Sequence, residues 1–285
     1  MRIFATMHPI YQYIKEELSG CYNPSECSAL AKWVLTEAFH FTASELYGGK
    51  DTIFPEKDRS RLEDIIRRLQ SFEPLQYILG QARFCGLDFE VSPAVLIPRP
   101  ETEELVEWIV SEHREAGLRL IDIGTGSGCI PVTLSQRLDH PYIAGWDISP
   151  AALEVARRNA AKHRADVTFA QVDVLGTEIP VLTADLLVSN PPYIAQQERA
   201  DMQRNVLDWE PDLALFVPDD DPLLFYRRIA EIGRHLLAPQ GSIYLEINQR
   251  LGEATAALLQ EAGYRSVELR KDLSGNDRML KAIRP

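Results

Sequence analysis

From residue 118 to residue 262, short apolar runs alternate with amphipathic stretches, and no other feature constrains the fold as tightly. Runs rich in β-branched and large apolar residues fit strands at 118–123, 142–146, 167–172, 185–188 and 242–246. Between them, apolar residues recur at three- and four-residue spacing, which predicts helices over 128–138, 150–163, 222–237 and 251–262. Ser149 and Pro150 make a well-formed helix start, with serine as cap and proline at the first helical position. Strands that take turns with helices build an α/β fold, doubly wound around a mostly parallel sheet. The tail, 264–269 and 279–283 around Ser274-Gly275-Asn276-Asp277, reads as a closing hairpin.

The first quarter of the chain has a different texture. Residues 11–18, 26–47 and 59–69 carry helical spacing among charges, with Ser28 or a neighbour as cap and Gly48-Gly49 as the stop of the second helix. Residues 1–72 are therefore expected to form a small helical bundle without a catalytic constellation. Residues 73–100 read as a linker containing a hairpin around Gly86, and 101–285 as the α/β domain, opening on a helix over 101–113.

Charge and composition exclude several classes. With 30 Lys and Arg against 42 Asp and Glu, the formal charge is −12, unsuited to holding a nucleic-acid backbone non-specifically. Hydrophobic residues at 45% and charged residues at 25% suit a globular core. No apolar run approaches the roughly 20 residues of a membrane helix, and residues 1–4 lack a signal core. A cytoplasmic monomer with neither a stable nucleic-acid complex nor a membrane partner is the expectation. The cysteines, Cys21, Cys27, Cys85 and Cys129, form no Cys-x-x-Cys pair and stand at no metal-finger spacing, so no metal is expected.

Four constellations carry chemistry. Asp122-Ile123-Gly124-Thr125-Gly126-Ser127-Gly128 closes a buried strand and opens a helix. Glycines there let the backbone turn sharply, and helix N-terminal N–H groups face a ligand. The third glycine comes one residue earlier than in a dinucleotide fingerprint. With Asp122 placed to reach a ligand's ammonium group, an amino-acid-bearing nucleoside fits better. Asp147 ends the next strand, where an acid accepts ribose hydroxyls. Asp173 ends the third, suited to an exocyclic amine, with Val174 offering backbone and apolar contact. After the fourth strand comes Asn190-Pro191-Pro192-Tyr193. Two prolines stiffen this loop, so that the Asn190 oxygen and the Pro191 carbonyl can accept both hydrogens of a planar –NH2 group beside the Tyr193 ring. Such an arrangement acts by positioning and electrostatic complementarity, because asparagine cannot take the proton.

These motifs resemble the class I S-adenosylmethionine-dependent methyltransferases that modify planar amino groups, and among them the peptide chain release factor glutamine methyltransferases. The resemblance extends over Pro74-Leu75-Gln76-Tyr77, Leu96-Ile97-Pro98-Arg99-Pro100-Glu101-Thr102-Glu103, Trp209-Glu210-Pro211, Phe225-Tyr226-Arg227 and Lys271-Asp272-Leu273-Ser274-Gly275-Asn276-Asp277-Arg278. It implies a seven-stranded methyltransferase sheet behind a helical N-terminal domain that recognises substrate. It also implies methyl transfer from S-adenosylmethionine to the glutamine amide in the Gly-Gly-Gln motif of release factors, which are the partner. By position, Asp122, Gly124, Thr125, Gly126, Ser127, Gly128, Asp147, Asp173, Val174 and Asn190 would bind the cofactor. Asn190, Pro191, Pro192 and Tyr193 would bind the glutamine, with Asn190, Pro191 and Tyr193 catalytic. One departure stands out: Pro218-Asp219-Asp220-Asp221-Pro222 replaces a glycine-containing turn. Methylation of a ribosomal-protein glutamine and of the adenine amino group in DNA or RNA are the alternatives. Eight acids against two arginines in 197–222 speak against the nucleic acid, and the 31 acidic against 21 basic residues after residue 73 suggest instead a catalytic face that attracts a basic protein.

Overall fold

The computed structural model describes residues 9–48 and 54–285. The chain divides into two compact units, one of residues 1–80 with 203–209, the other of 81–202 with 210–285. The division thus falls between Gly80 and Gln81, inside the stretch 73–100 that reads as a linker. The stretch expected as a linker, 73–100, is shared between the units.

In the first unit, α1 (Pro9–Leu18) buries Tyr11, Ile14 and Leu18, spaced three and four apart. The next helix starts earlier than expected: α2 (Pro24–Trp33) is capped by Asn23, whose side chain accepts from the Ser25 and Glu26 amides while Glu26 accepts from the Asn23 amide. Ser28, the expected cap, lies inside the helix, and its hydroxyl donates to the Pro24 carbonyl at 2.7 Å. A capping box satisfies two end donors at once, which a lone serine cannot. Nor does one helix run over 26–47. It widens into a π turn (Val34–Ala38) that keeps Val34, Leu35 and Ala38 buried, then breaks at His40 (φ 57°) before α3 (Ala43–Gly48). Gly49, half of the expected stop, lies outside the described residues. α4 (Glu56–Gln70) follows, then α5 (Leu75–Leu79), ended by Gly80 at φ 71°. From the distant segment 203–209, the Trp209 indole donates to the Ser71 carbonyl at 3.2 Å, and the Arg204 guanidinium lies 4.2 Å from the Phe72 ring centroid.

The second unit begins with the hairpin β1 (Gln81–Phe84) and β2 (Leu87–Glu90), turned by Cys85 and Gly86 at φ 48° and 80°. Two central residues with positive φ match the twist of the flanking strands. Then come α6 (Pro100–Glu112), β3 (Arg119–Ile123), α7 (Cys129–Arg137), β4 (Tyr142–Asp147), α8 (Pro150–His163), β5 (Val167–Gln171) and β6 (Ala184–Ser189). Short pieces follow: β7 (Ile194–Ala195), a 3-10 turn (Gln196–Asp201), α9 (Arg204–Leu207, of the first unit), α10 (Asp212–Leu215) and β8 (Phe216–Val217). α11 (Leu224–Leu236), β9 (Leu237–Glu246), α12 (Gly252–Glu261), β10 (Arg265–Lys271) and β11 (Asp277–Ile283) complete it.

Seven strands form one sheet in the order β10-β11-β9-β6-β3-β4-β5. Strands β3, β4, β5, β6 and β9 run parallel, and β11 pairs antiparallel with both β9 and β10. Alternate residues of each strand enter opposite cores. Leu120, Leu186, Val188 and Tyr244 pack on the α6–α7 face, whereas Ile121, Leu187, Ile243 and Leu245 pack on the α11–α12 face. Two covered faces explain why these strands read as continuous apolar runs. Chain order reverses between β3 and β6, and at such a switch point the carboxyl ends of the strands open a crevice.

No helix among the described residues is long and apolar enough to cross a membrane. The departing turn before α11 is held by its own aspartates: Asp221 accepts from Arg227 at 2.8 and 3.0 Å, and Asp219 from the Gln197 amide at 2.8 Å. Carboxylates accepting these bonds do the work of ordering a turn that glycine would do by conformational freedom.

Candidate active site

A cleft enclosing about 1180 Å³, open solvent at its mouth included, lies over the carboxyl ends of β3, β4, β5 and β6. One wall is the loop after β3. The Gly124 and Thr125 amides donate to the Trp146 carbonyl at 2.8 and 2.9 Å, so the loop folds back onto β4. Gly124 and Gly126 have φ of 74° and 53°, and a Cβ at either would meet nothing within 4 Å. Their glycine requirement is conformational. Gly128, at φ 78°, shares that requirement and adds a steric one: a Cβ there would lie 3.1 Å from the Ala156 Cβ, so this residue packs the loop on α8 and does not line the cleft.

Asp147 lines the cleft with both oxygens engaged from below, Oδ2 by the Gly126 amide at 2.8 Å and Oδ1 by the Ser149 amide at 2.9 Å. Burial raises its pKa and these amides pull it down. Each oxygen keeps a second lone pair for a ligand hydroxyl. Asp173 is exposed at the rim and organises its own turn by accepting from the Leu175 amide at 2.9 Å. Val174, also in the lining, has its carbonyl held by Arg228 Nε at 2.7 Å.

Asp122 sits fully buried under the glycine loop, outside the lining itself. Neither of its oxygens has a hydrogen-bond partner within the protein, and neither do the buried hydroxyls of Thr125 and Ser127. Burial pushes the Asp122 carboxyl up to about 7; the Thr125 hydroxyl, without forming a geometric hydrogen bond, opposes the rise, and the Asp147 charge adds to it. Unpaired buried polar groups are costly, so a concentration of them beside a cleft marks where a polar ligand completes the protein. An ammonium group above Asp122 and hydroxyl-bearing sugar at Asp147 fit this donor and acceptor set.

The opposite wall is the loop after β6. Ser189 ties it to β3 by donating to the Ile123 carbonyl at 2.6 Å. Asn190, Pro191 and Pro192 line the cleft. Asn190 Nδ2 donates to Thr102 Oγ1 at 3.2 Å, and the Thr102 hydroxyl donates to Glu246 Oε2 at 2.5 Å. Tyr193 does not join the lining: its hydroxyl donates to Glu246 Oε1 at 3.1 Å and its carbonyl accepts from Asn248 Nδ2 at 3.1 Å. The ring expected beside the substrate amide instead packs toward the α11–α12 core.

Three features of this site had no role assigned to them from the sequence. Arg99 donates to Glu210 at 2.6 Å, and Glu210 also accepts from the Ile97 amide at 3.2 Å, which joins the segments 94–99 and 210–214 of the cleft wall. Arg228 pins the loop after β5. Thr102 and Glu246 brace Asn190. Arg99, Thr102 and Glu210 stand in the motifs that carry the resemblance, and Glu246 left a signal of its own, an acid closing the apolar strand that pairs β6 with Ser189 opposite Leu245. Among the described residues no cluster of three His, Cys, Asp or Glu could hold a metal.

Comparison with known proteins agrees with this geometry. Residues 101–208 match the model of the methyltransferase small domain, and residues 10–80 that of the PrmC N-terminal domain. A release factor glutamine methyltransferase from Bacteroides thetaiotaomicron is 49% identical over 98% of this chain and 100% of its own length. One from Flavobacterium psychrophilum is 42% identical over 93% and 95%. Among solved structures, a methyltransferase from Pyrococcus furiosus superposes with a TM-score of 0.52 at 16% identity, over 79% of this chain and 98% of that one, which shows the shared fold.

Proposed function

Because the chain belongs to the family of release factor glutamine methyltransferases, we propose that its cleft methylates the side-chain amide nitrogen of the glutamine in a release factor's Gly-Gly-Gln motif. The observation that carries this reading is the Asn190 side chain, whose nitrogen is engaged by Thr102 so that its oxygen is left to accept from an –NH2 group. An amide nitrogen is a poor nucleophile because its lone pair is delocalised. Hydrogen bonds from its two N–H groups to Asn190 Oδ1 and the Pro191 carbonyl orient that lone pair and favour the charge developing on nitrogen during attack.

S-adenosylmethionine supplies a methyl group on a positively charged sulfur, an electrophile that needs no further activation. The chain's own task is placement. Asp147 takes ribose hydroxyls, Asp122 and the loop 124–127 take the amino-acid end, and Asp173 with Val174 takes the adenine. Asn190 to Pro192 holds the amide, and Tyr193 supports that loop from behind through Glu246. Gly128 supports the cofactor loop by packing it on α8.

The helical unit is assigned to recognition of the release factor. It includes 203–209, so the chain that leaves the Asn190 loop passes next into that unit. Charge is a weaker guide than the sequence suggests. Five of the eight acids in 197–222 are paired with arginines: Glu198 with Arg250, Asp208 with Arg204, Glu210 with Arg99, Asp212 with Arg199 and Asp221 with Arg227. Steering of a basic partner by this segment is correspondingly small, and the protein acts as a cytoplasmic monomer on a transient complex. The test is mass spectrometry of purified release factors after incubation with enzyme and S-adenosylmethionine. A gain of one methyl group on the Gly-Gly-Gln glutamine is expected; methylation confined to a ribosomal protein or to adenine would overturn the reading.

A further inference from the structure

We infer that Thr102 and Glu246 form a two-residue relay that sets which face of the Asn190 amide meets the substrate. The inference rests on the role of Asn190 just given and adds two positioning residues to it.

Hydrogen-bond direction carries the argument. An ionised carboxylate can only accept, and a threonine hydroxyl has one hydrogen to give. Thr102 gives it to Glu246 Oε2 at 2.5 Å. Its oxygen can then only accept from Asn190, which must turn Nδ2 toward it, as the 3.2 Å contact has it. Oδ1 consequently faces away from Thr102, toward an –NH2 group that brings donors alone. A reversed asparagine would set donor against donor. Both relay residues are nearly inaccessible, Thr102 at 2% and Glu246 at 1% exposure, so water cannot substitute for either. The negative charge at the far end also polarises the chain, making Oδ1 a better acceptor as positive charge develops on the substrate nitrogen.

Protonation of Glu246 reverses the logic. A protonated carboxyl can donate to Thr102, which frees the threonine hydrogen for Asn190 and lets the amide turn over. Glu246 faces Thr102 and the Glu101 carboxylate from α6, Tyr193 after β6, and the Arg278 guanidinium from β11. Burial is the largest influence and raises its pKa, the two hydroxyl donors and Arg278 lower it, and Glu101 raises it.

Steady-state kinetics on a whole release factor, with S-adenosylmethionine affinity and thermal stability measured alongside, test the relay. Thr102→Val is expected to lower kcat about 10- to 100-fold, with cofactor Kd and release-factor KM within about threefold of wild type. Thr102→Ser, which keeps the hydroxyl, is expected to restore kcat to within about threefold, a rescue that mere packing would not require. Glu246→Gln is expected to lower kcat about tenfold and to flatten the acid limb of its pH profile, which in the wild type lies above the usual carboxylate range. Should Thr102→Val fold poorly, Thr102→Ser and Glu246→Gln carry the test. Wild-type kcat in Thr102→Val or Glu246→Gln, with Asn190→Ala inactive, would overturn the relay alone. Full activity in Asn190→Ala would remove the role of Asn190 and the relay with it.

Discussion

Two acids of the catalytic unit, Asp122 and Glu112, are treated in opposite ways. Asp122, on β3 beneath the cleft, has no hydrogen-bond partner on either oxygen, and burial pushes it up to about 7. Glu112, at the end of α6, is also pushed up by burial, yet donors from Lys281, Tyr244 and Trp108 outweigh this and bring it down to about 2. The Trp108 indole donates at 2.6 Å and the Tyr244 hydroxyl at 2.7 Å, while the Arg270 guanidinium lies 3.9 Å from the Trp108 ring centroid. At Glu112 every demand is met within the fold. At Asp122 no partner stands within the fold, and the protein carries the cost of an unpaired buried carboxyl. Polar groups left unsatisfied beside a cleft serve binding; the same groups saturated away from it serve stability.

The largest effect is expected at the open end. Asn190→Ala should reduce methyl transfer by about 100-fold or more, since it removes an acceptor aimed at the reacting nitrogen, while cofactor affinity changes little. Parallel titration calorimetry and single-turnover rates check this, and equal losses in both would contradict the role. Next comes Asp147→Ala, expected to weaken S-adenosylmethionine binding about 10- to 100-fold through lost ribose contacts and a loosened Gly126 amide. An unchanged Kd would take Asp147 out of the cofactor site.

Asp122→Asn sharpens the contrast most directly. Above pH 7 it should weaken cofactor binding about tenfold yet leave the free protein as stable as before or up to ~1 kcal/mol more so, because an unpaired buried charge has gone. Wild-type affinity should itself fall as pH drops below about 7, as Asp122 takes up a proton, and the variant should lack that dependence. Cofactor binding independent of pH from 6 to 8 in the wild type, on the order of one unit either side of that pKa, would deny Asp122 its part.

Glu112→Gln is the smallest and has the opposite sign for stability, a loss of ~1–2 kcal/mol with activity at permissive temperature retained. The pH dependences differ as well. The pKa of Glu112 is lower folded than unfolded, so its contribution is present above the unfolded pKa and is lost as pH falls toward about 2. That of Asp122 is higher folded, so without ligand it favours the folded state at low pH and loses that advantage as pH rises toward about 7. Denaturant melts of both variants at pH 4 and pH 8 separate the two; parallel shifts would break the comparison.

What could be read in advance followed the range of the interaction involved. The parallel strands were legible because two covered faces force continuous apolar runs, and Ser149 was legible as a cap because it donates nothing beyond its own turn, accepting from the Ala152 amide at 3.2 Å. The cap of α2 was misplaced because a reciprocal pair, Asn23 with Glu26, outcompetes the nearer serine. The helix α5 was not legible within the expected linker because it is only one turn long and leaves no periodic trace. Segment 203–209 joins the first unit through Trp209 and Arg204, pairings that no local pattern records.

The sequence by itself determined the α/β order, the glycine loop after β3, the acids on successive strand ends and the rigid Asn-Pro-Pro-Tyr turn, since each is written in neighbouring residues and obeys local steric and hydrogen-bonding rules. Only the tertiary structure decided how Asn190 is aimed. Thr102, Asn190 and Glu246 come from α6, the loop after β6 and the end of β9, and the direction of a hydrogen-bond chain exists only once its members are brought within about 3 Å of one another. The same holds for Tyr193, which belongs to the motif in sequence but turns its hydroxyl to Glu246 behind the cleft, because that buried carboxylate offers it the acceptor it needs.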